Sequence, residues 1–168
     1  MDLAPNQTAA VAPGTEARGP LAGFRILELG HYVAAPFATR LLGDLGAEVI
    51  KVEPPGGDPV RQWGARYKGS APWWSVHARN KRCITLDLKK PGAREVVLDL
   101  VRTCDALVEN HRPGQLAKMG LGEEVLRAAR PTFSSASIAL SSRSFTGTLA
   151  YRSGSSTFSR ILSLGSRL

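Results

Sequence analysis

The stretch FRILELGHYVAAPFATRLLGDLGAEVIKVEPP, residues 24–55, decides the fold of this chain. Residues 24–29 are apolar and β-favouring and lie between two glycines, which predicts a strand covered on both faces of a parallel sheet. A helix is predicted from Pro36, with one apolar stripe that packs on the sheet. The stripe comprises Phe37, Leu41, Leu42 and Leu45. Residues 47–52 are rich in β-branched side chains and predict a second strand, so the stretch forms a right-handed βαβ unit.

The same plan recurs further along the chain. The predicted elements are a strand at 83–88, a helix at 90–104, a strand at 106–109, a helix at 122–131 and a strand at 133–138. The apolar face of the first of these helices comprises Val96, Val97, Leu100 and Val101. Together the elements predict an α/β fold, a Rossmann-like open parallel sheet of βαβ units. Ligands of such sheets bind beyond the carboxyl ends of the strands, here at 30–35, 53–58 and 110–114.

Charge and composition argue against several classes of function. The net charge is +8, but up to residue 131 there are 18 Lys and Arg against 14 Asp and Glu, spread along the chain. No basic run is interleaved with aromatic residues, so we expect no nucleic acid partner. No apolar run approaches the roughly 20 residues of a membrane span, and residues 1–20 lack a signal-peptide pattern, so we expect no membrane contact and a cytoplasmic protein. Cys83 and Cys104 show no metal-ligand spacing and are expected to be free buried thiols, with no metal site.

Composition divides the chain into three parts. Residues 1–19 are rich in Ala, Pro, Gly and Thr without periodicity and are expected to be a disordered leader. Residues 20–131 hold the predicted α/β domain. Residues 132–168 contain 12 serines, against 2 in the preceding 131 residues, and four arginines but no Asp, Glu, Lys or His. This step predicts a Ser/Arg-rich tail without a recognisable fold, either a low-complexity extension or, as we favour, the product of a reading-frame slip near residues 132–140.

Two features of the carboxyl edge bear on ligand chemistry. The first turn, residues 30–36, lacks G-x-G-x-x-G, so a glycine-loop grip on a dinucleotide is not predicted. Glu53 stands where nicotinamide enzymes place a ribose-binding acid, but without the glycines this is a weak indication. The connection over 53–77 is rich in Gly and Pro and holds four aromatic residues, which suits a lid, a dimer contact or a wall of the substrate site.

Three longer blocks of sequence follow one another at set spacings. They are PLAGFRILELGHYVAAPFATRLLGDLGAEVIKVEPPGGDPVR, NKRCITLDLKKPGAREVVLDLV and CDALVENHRPGQLAKMGLG. Over about residues 20–131 these blocks resemble the amino-terminal part of family III CoA-transferases, the CaiB/BaiF type. The resemblance implies a sheet that is incomplete relative to the full-length family, and coenzyme A or acyl-CoA as substrate without a metal. It also implies a carboxylic acid as the acceptor of CoA, and a homodimer in the full-length relatives.

The resemblance further implies which residues bind CoA. They are Val33, Ala34, Leu86, Asp87, Leu88, Lys89, Asn110, His111, Arg112 and Lys118. Guanidinium and ammonium groups on loops at the carboxyl edge suit the pyrophosphate and 3′-phosphate of CoA. Without the resemblance, Lys89 and Lys118 would be interpreted as solvated charges. His31 and His111 would be interpreted as side chains that hydrogen-bond the backbone rather than as an acid or base.

The mechanism that the resemblance implies uses a nucleophile that this sequence does not contain. In the family an aspartate attacks the thioester, forming a mixed anhydride and then an enzyme-CoA thioester. That aspartate lies beyond Leu168 and no acid follows Glu124, so no catalytic residue is assigned and we expect a CoA-binding fragment without turnover. The open alternatives are a relative of the 2-methylacyl-CoA racemases, a non-catalytic nucleotide or CoA-binding module, and a basic protein that contacts nucleic acid through its tail.

Overall fold

The computed structural model describes residues 19–132, 134–140 and 147–152. Within them the chain forms strands and helices that alternate through most of its length. In chain order these are β1 (Arg25–Glu28), α1 (Ala34–Asp44), β2 (Glu48–Glu53), α2 (Pro72–His77), β3 (Lys81–Thr85), α3 (Ala93–Thr103), β4 (Ala106–Glu109), α4 (Gln115–Lys118), α5 (Glu123–Ala129), β5 (Ser134–Leu140) and β6 (Gly147–Arg152). A 3-10 helix over Pro59–Gln62 lies in the connection after β2.

The strands form one open sheet in the order β3-β2-β1-β4-β5-β6. The first five strands are parallel, and β6 pairs antiparallel with β5 at one edge. On β1, Ile26 pairs with Val49 of β2 and with Ala106 of β4, so the chain winds outward from β1 in both directions. The predicted α/β fold with an open parallel sheet is confirmed. Because the winding direction changes beside β1, a crevice lies between the carboxyl ends of β1 and β4.

The predicted strands are present with shifted bounds. β3 ends at Thr85, so residues 86–88, which were predicted as strand, belong to the loop at the ligand edge. β5 and β6 fall within residues 132–168, and β5 pairs with β4 from Ser134 onward. The rest of that tail, like residues 1–18, lies outside the described residues, so the division into leader, domain and tail stays a prediction.

Strand β1 is buried on both faces because its alternate side chains enter two different core layers. Ile26 packs with Ala35 in the layer beneath α1. Leu27 and Leu29 pack with Val97 in the larger layer beneath α3 and α5. The mainly apolar run at residues 24–29 therefore forms a strand at the centre of a two-sided core.

Helix α1 packs on the sheet through a different face from the predicted one. Its buried residues are Ala35, Pro36, Thr39 and Gly43. In the predicted stripe only Leu42 packs against the core, and the other three side chains, Phe37, Leu41 and Leu45, are 42% to 46% exposed. Small residues on the sheet side let the helix approach closely: a Cβ on Gly43 would already be in van der Waals contact with Val49 Cγ2, at 3.6 Å, and would lie 3.3 Å from Asn80. The apolar stripe prediction was therefore wrong for most of its length.

Helix α3 follows its predicted pattern more closely. Val97 and Val101 are buried and Leu100 packs at the edge of the same core layer. Val96 is exposed, and Leu98 takes its place among the buried residues. The inner face of α3 is thus turned by part of a helical turn relative to the prediction.

The two cysteines differ in their surroundings. Cys104 is buried as expected, whereas Cys83 is exposed, because β3 is the edge strand of the sheet. Partial burial of the Cys83 thiol and the neighbouring Glu53 carboxylate nevertheless raise its pKa to about 12. The thiol is therefore protonated and unreactive at neutral pH. Across the described ranges, no helix has the length and apolar character needed to cross a membrane.

Candidate functional site

The first turn and the segment after β4 meet at the crevice between β1 and β4. The Asn110 side chain joins them: its Oδ1 accepts from the His31 N–H at 2.9 Å, and its Nδ2 donates to the His31 carbonyl at 2.8 Å. One amide thus satisfies both backbone groups of a turn residue. Two of the predicted ligand segments, 30–35 and 110–114, are held against each other by a predicted site residue.

Gly30 allows this close approach. A Cβ at its position would lie 2.2 Å from Ala35 Cβ and 2.9 Å from Asn110 Oδ1. Both distances are shorter than a carbon atom tolerates, so the turn accepts only glycine without rearrangement. The glycine that ends the apolar run in the sequence therefore serves the crevice as well as the strand boundary.

The start of α1 lies at the mouth of the crevice. Val33 precedes the helix and is 39% exposed, and Ala34 is its first residue. Tyr32 has a φ of 62°, a left-handed conformation that is costly for a tyrosine, and its ring centroid lies 5.6 Å from that of Trp63. Exposed apolar and aromatic surface thus borders the free N–H groups of a helix start, which favour an anionic group.

Two histidines face each other in the crevice. The ring centroids of His31 and His111 are 5.4 Å apart, edge to face. His31 Nδ1 and His111 Nε2 are buried, and neither atom has a hydrogen-bond partner among the described residues, so the expected bonds to the backbone are absent at these two atoms. Burial, followed by the nearby Lys51 and His111, lowers the pKa of His31, so its imidazole is neutral at pH 7.

Buried charges lie directly beneath the first turn. We call this group the Lys51 network; it comprises Glu28, Thr39, Lys51, Asp58 and Lys81. Glu28 accepts from Lys51 Nζ at 2.8 Å, from Lys81 Nζ at 2.7 Å and from the Thr39 hydroxyl at 2.5 Å. Lys51 Nζ also lies 2.8 Å from Asp58 Oδ2. Two cations and two anions balance inside the protein, as buried charges require.

Sequence reasoning missed the Lys51 network. Glu28 and Lys51 interrupt runs of apolar residues in the two strands of the opening unit, and a charge inside a strand buried on both faces could have indicated a buried ion pair. Asp58 and Lys81 lie in a loop and at a strand start, where charges are ordinary. No local pattern distinguished them.

Glu53 is committed to the loop after β2. Its Oε2 accepts from the Asp58 N–H at 2.8 Å and from Arg61 Nε at 2.7 Å, and its Oε1 accepts from Arg61 Nη2 at 2.8 Å. Burial alone would raise the pKa of Glu53, but the Arg61 guanidinium and the Asp58 N–H outweigh it and hold the pKa below its usual value. The Arg61 guanidinium also lies 3.6 Å from the centre of the Trp74 ring. The Gly/Pro-rich connection is therefore packed onto the sheet edge, and the Glu53 carboxylate is occupied by partners within the protein.

The other predicted site residues lie along the same edge of the sheet. The loop after β3, two strands away from β1, holds Leu86, Asp87, Leu88 and Lys89. Asp87 Oδ1 accepts from the Lys89 N–H at 3.1 Å, which shapes that loop. Lys89, Arg112 and Lys118 are exposed, the last at the end of α4. The structure thus gathers Val33, Ala34, Asn110 and His111 at the crevice, and leaves the β3 loop apart from it.

A cavity of about 300 Å³ opens beside Arg112, between α4, α5 and the strands β4 and β5. Its walls are mainly apolar and include Leu107, Leu116 and Leu126, while Glu109 and Arg112 bring charge to its rim. In the part of the chain that the structure describes, no cluster of three or more His, Cys, Asp or Glu residues could hold a metal ion.

Comparison with known proteins gives a consistent result. The model of CoA-transferase family III matches residues 21–140. The chain is 55% identical over 114 residues to a succinyl-CoA–D-citramalate CoA-transferase of Chloroflexus aurantiacus, covering 67% of this chain and 28% of that protein. It is 48% identical over 115 residues to the succinyl-CoA:glutarate CoA-transferase of Homo sapiens, covering 67% of this chain and 26% of that protein.

Solved structures show the same relationship. A CAIB/BAIF family protein from Brucella suis superposes with a TM-score of 0.67 at 41% identity, covering 71% of this chain and 33% of that chain. The Rv3272 protein of Mycobacterium tuberculosis superposes with a TM-score of 0.68 at 40% identity, covering 72% and 34%. The chain therefore spans about a third or less of the length of these proteins.

Proposed function

Because this chain belongs to CoA-transferase family III, we propose that it binds the CoA part of an acyl-CoA at the crevice between β1 and β4. The observation that carries the proposal is the Asn110 clamp on His31, which holds two predicted CoA-binding segments side by side. Their position also supports it, since open sheets of this kind bind ligands where the winding direction changes.

The two ends of CoA suit different parts of this edge. The adenine ring is flat and fits the apolar and aromatic surface around Val33 and Ala34. The phosphates carry several negative charges and suit Lys89, Arg112 and Lys118, which are exposed on loops and a helix end. Asn110 and His111 lie at the crevice itself and offer hydrogen bonds there.

The proposal covers binding without turnover. The mechanism that the resemblance implies uses an aspartate nucleophile, and no acid of this sequence is assigned that role; none follows Glu124. The relatives cited above are named for reactions of succinyl-CoA, so succinyl-CoA is the acyl donor to use as a probe. A carboxylic acid acceptor and a cytoplasmic location stay predictions for this chain, and the homodimer stays a prediction for its full-length relatives.

Calorimetric titration of the full 168-residue chain with CoA and with succinyl-CoA tests the proposal. We expect saturable binding of both ligands. Asn110→Ala removes the clamp and is expected to weaken binding about tenfold, and Arg112→Gln is expected to weaken it several-fold by removing a phosphate partner. Arg102→Gln is the matched control. Arg102 pairs with Asp99 in the last turn of α3, which lies toward the amino ends of the strands, away from the proposed site.

Three outcomes would count against this assignment. Absence of heat at millimolar CoA would contradict CoA binding. Equal losses of affinity for Arg112→Gln and Arg102→Gln would contradict the location of the site. Transfer of CoA from succinyl-CoA to a dicarboxylic acid above background would contradict binding without turnover.

A further inference from the structure

Lys51 is the least expected charge in the molecule. It lies inside β2, where the only other charged residues are Glu48 and Glu53 at the two ends of the strand, and its side chain is 1% exposed. Its ammonium group points to the carboxyl edge, beneath the first turn. The contacts of this group say what it does there.

The Lys51 ammonium has three partners inside the protein: it donates hydrogen bonds to Glu28 and to the Gly30 carbonyl and forms an ion pair with Asp58. An ammonium group has three N–H donors, and Nζ lies 2.8 Å from Glu28 Oε1, from the Gly30 carbonyl and from Asp58 Oδ2. Burial alone would lower the pKa of Lys51, but the Glu28 and Asp58 carboxylates outweigh it and raise the pKa, so the group stays charged. Because the side chain is 1% exposed and enclosed by these partners, the ammonium group is not presented to a ligand in the crevice.

The peptide between Gly30 and His31 is held from both sides. Its carbonyl accepts from Lys51 Nζ at 2.8 Å, and its N–H donates to Asn110 Oδ1 at 2.9 Å. Lys51 belongs to β2 and Asn110 follows β4, so the strands on either side of β1 together set the plane of one peptide. Rotation of this peptide would break both hydrogen bonds.

Asp58 connects Lys51 to the loop after β2. Its Oδ2 is the third partner of Lys51, its Oδ1 accepts from the Val60 N–H at 2.9 Å, and its own N–H donates to Glu53 at 2.8 Å. The loop is thus fixed around Asp58. Lys51 connects it to the first turn through a single nitrogen atom.

Lys81 offers a natural comparison within the same network. Its Nζ donates to Glu28 Oε2 and to the Pro36 carbonyl, both at 2.7 Å. Both lysines therefore neutralise Glu28, and both are buried. Their difference is geometric: Lys51 bonds to the Gly30 carbonyl and pairs with Asp58 in the loop after β2, whereas Lys81 bonds to the Pro36 carbonyl inside α1.

We propose that Lys51 is a positioning residue for the ligand edge: it orients the Gly30–His31 peptide and couples it to the loop after β2 without contacting the ligand. Its effect on CoA affinity rests on the proposed function. Its effect on the two backbone segments does not depend on CoA binding. An experiment can therefore contradict the proposed function and the role of Lys51 independently.

Hydrogen–deuterium exchange of the full chain tests this role by comparing Lys51→Met with Lys81→Met. Each variant removes one buried cation from Glu28. In Lys51→Met we expect amides in residues 30–35 and 56–61 to exchange about tenfold faster than in the wild type, beyond any change in β1 and β4. In Lys81→Met we expect the same amides to exchange within about twofold of the wild-type rate. Where the wild type binds CoA, we expect its Kd to rise about tenfold in the first variant and about twofold or less in the second.

Each result of this comparison is decisive. Equal exchange changes in both variants would overturn the proposal and make Lys51 an ordinary stabilising residue. If the wild type does not bind CoA, the proposed function fails and the exchange data still judge Lys51. If Lys51→Met does not fold, Lys51→Arg and Lys81→Arg replace the pair. A guanidinium keeps the positive charge but cannot place a single nitrogen against all three partners of Lys51. Unchanged exchange at 30–35 in Lys51→Arg would then overturn the proposal.

Discussion

Gly30 shows how much of the crevice depends on a single residue. Its carbonyl bonds to Lys51, and its missing side chain lets Ala35 and Asn110 approach the turn. The turn therefore depends on two features of Gly30: the hydrogen bond of its carbonyl to Lys51, and a close contact at its Cα that leaves no space for a side-chain carbon. Loss of either would open the space where we place the ligand.

We expect Gly30→Ala to lower the free energy of unfolding by about 1–3 kcal/mol, because the added methyl group overpacks a closed contact. Gly56→Ala is the control. Gly56 has a φ of 89° and open space around its Cβ position, so its substitution costs about 1 kcal/mol of backbone strain alone. Urea unfolding of both variants measures the difference. A loss for Gly30→Ala no larger than that for Gly56→Ala would show that the turn can relax.

Helix α1 illustrates the difference between apolar pattern and packing. Its sheet-facing side carries Ala35, Thr39 and Gly43, at a spacing of four residues, while larger apolar side chains lie outside. Thr39 is needed on the inner side because its hydroxyl donates to the buried Glu28 carboxylate. Packing distance and a buried hydrogen bond thus select small residues where a simple apolar stripe would place leucine.

The outer side of α1 is therefore expected to tolerate polar substitution. Leu41→Gln should change the free energy of unfolding by about 0.5 kcal/mol or less, as for an exposed position. Val97→Ala on the inner face of α3 should lower it by about 1–3 kcal/mol, because it leaves a cavity in a closed core. Thermal or urea unfolding distinguishes the two. A loss for Leu41→Gln as large as that for Val97→Ala would mean that the outer stripe is covered in solution.

At the scale of the whole molecule, buried histidines and paired carboxylates determine how stability depends on pH. Burial, followed by Lys51 for His31 and by Lys81 for His77, lowers the pKa of both imidazoles. Their stabilising contribution is complete above the unfolded pKa of about 6.5 and is lost as the pH falls through the lowered folded values. The pKa of Glu53 is also lowered, but from an ordinary value of 4.5, so its contribution is lost only at more acidic pH.

We therefore expect two steps of acid destabilisation. The thermal midpoint should be nearly constant from about pH 8 to 6.5, should fall between about pH 6.5 and 4.5, and should fall again below that. Removal of both imidazoles in His31→Gln/His77→Gln should flatten the first step and leave the second. Persistence of the first step in the double variant would assign it to other groups.

The limits of sequence reasoning follow from particular residues. The apolar run at 24–29 predicted a buried central strand correctly, because full burial on both faces leaves a local pattern. The buried ion pair of Lys81 left no such local pattern, because its partner Glu28 is 53 residues away in the chain. Leu86, Asp87, Leu88 and Lys89 follow a strand of the predicted sheet, yet only the strand order places them two strands from the crevice.

The main alternation of strands and helices, the parallel sheet and the family were predicted from the amino-acid sequence, whereas α2, α4 and β6 were not. Periodicity and turn residues are local properties, and the three family blocks can be recognised without coordinates. Tertiary structure decided which face of α1 is buried, that Glu53 is bound by Arg61, and that Lys51 and Asn110 hold one peptide between them. These contacts join residues that are distant in the chain, and their energies depend on distance and burial, which only the folded molecule defines.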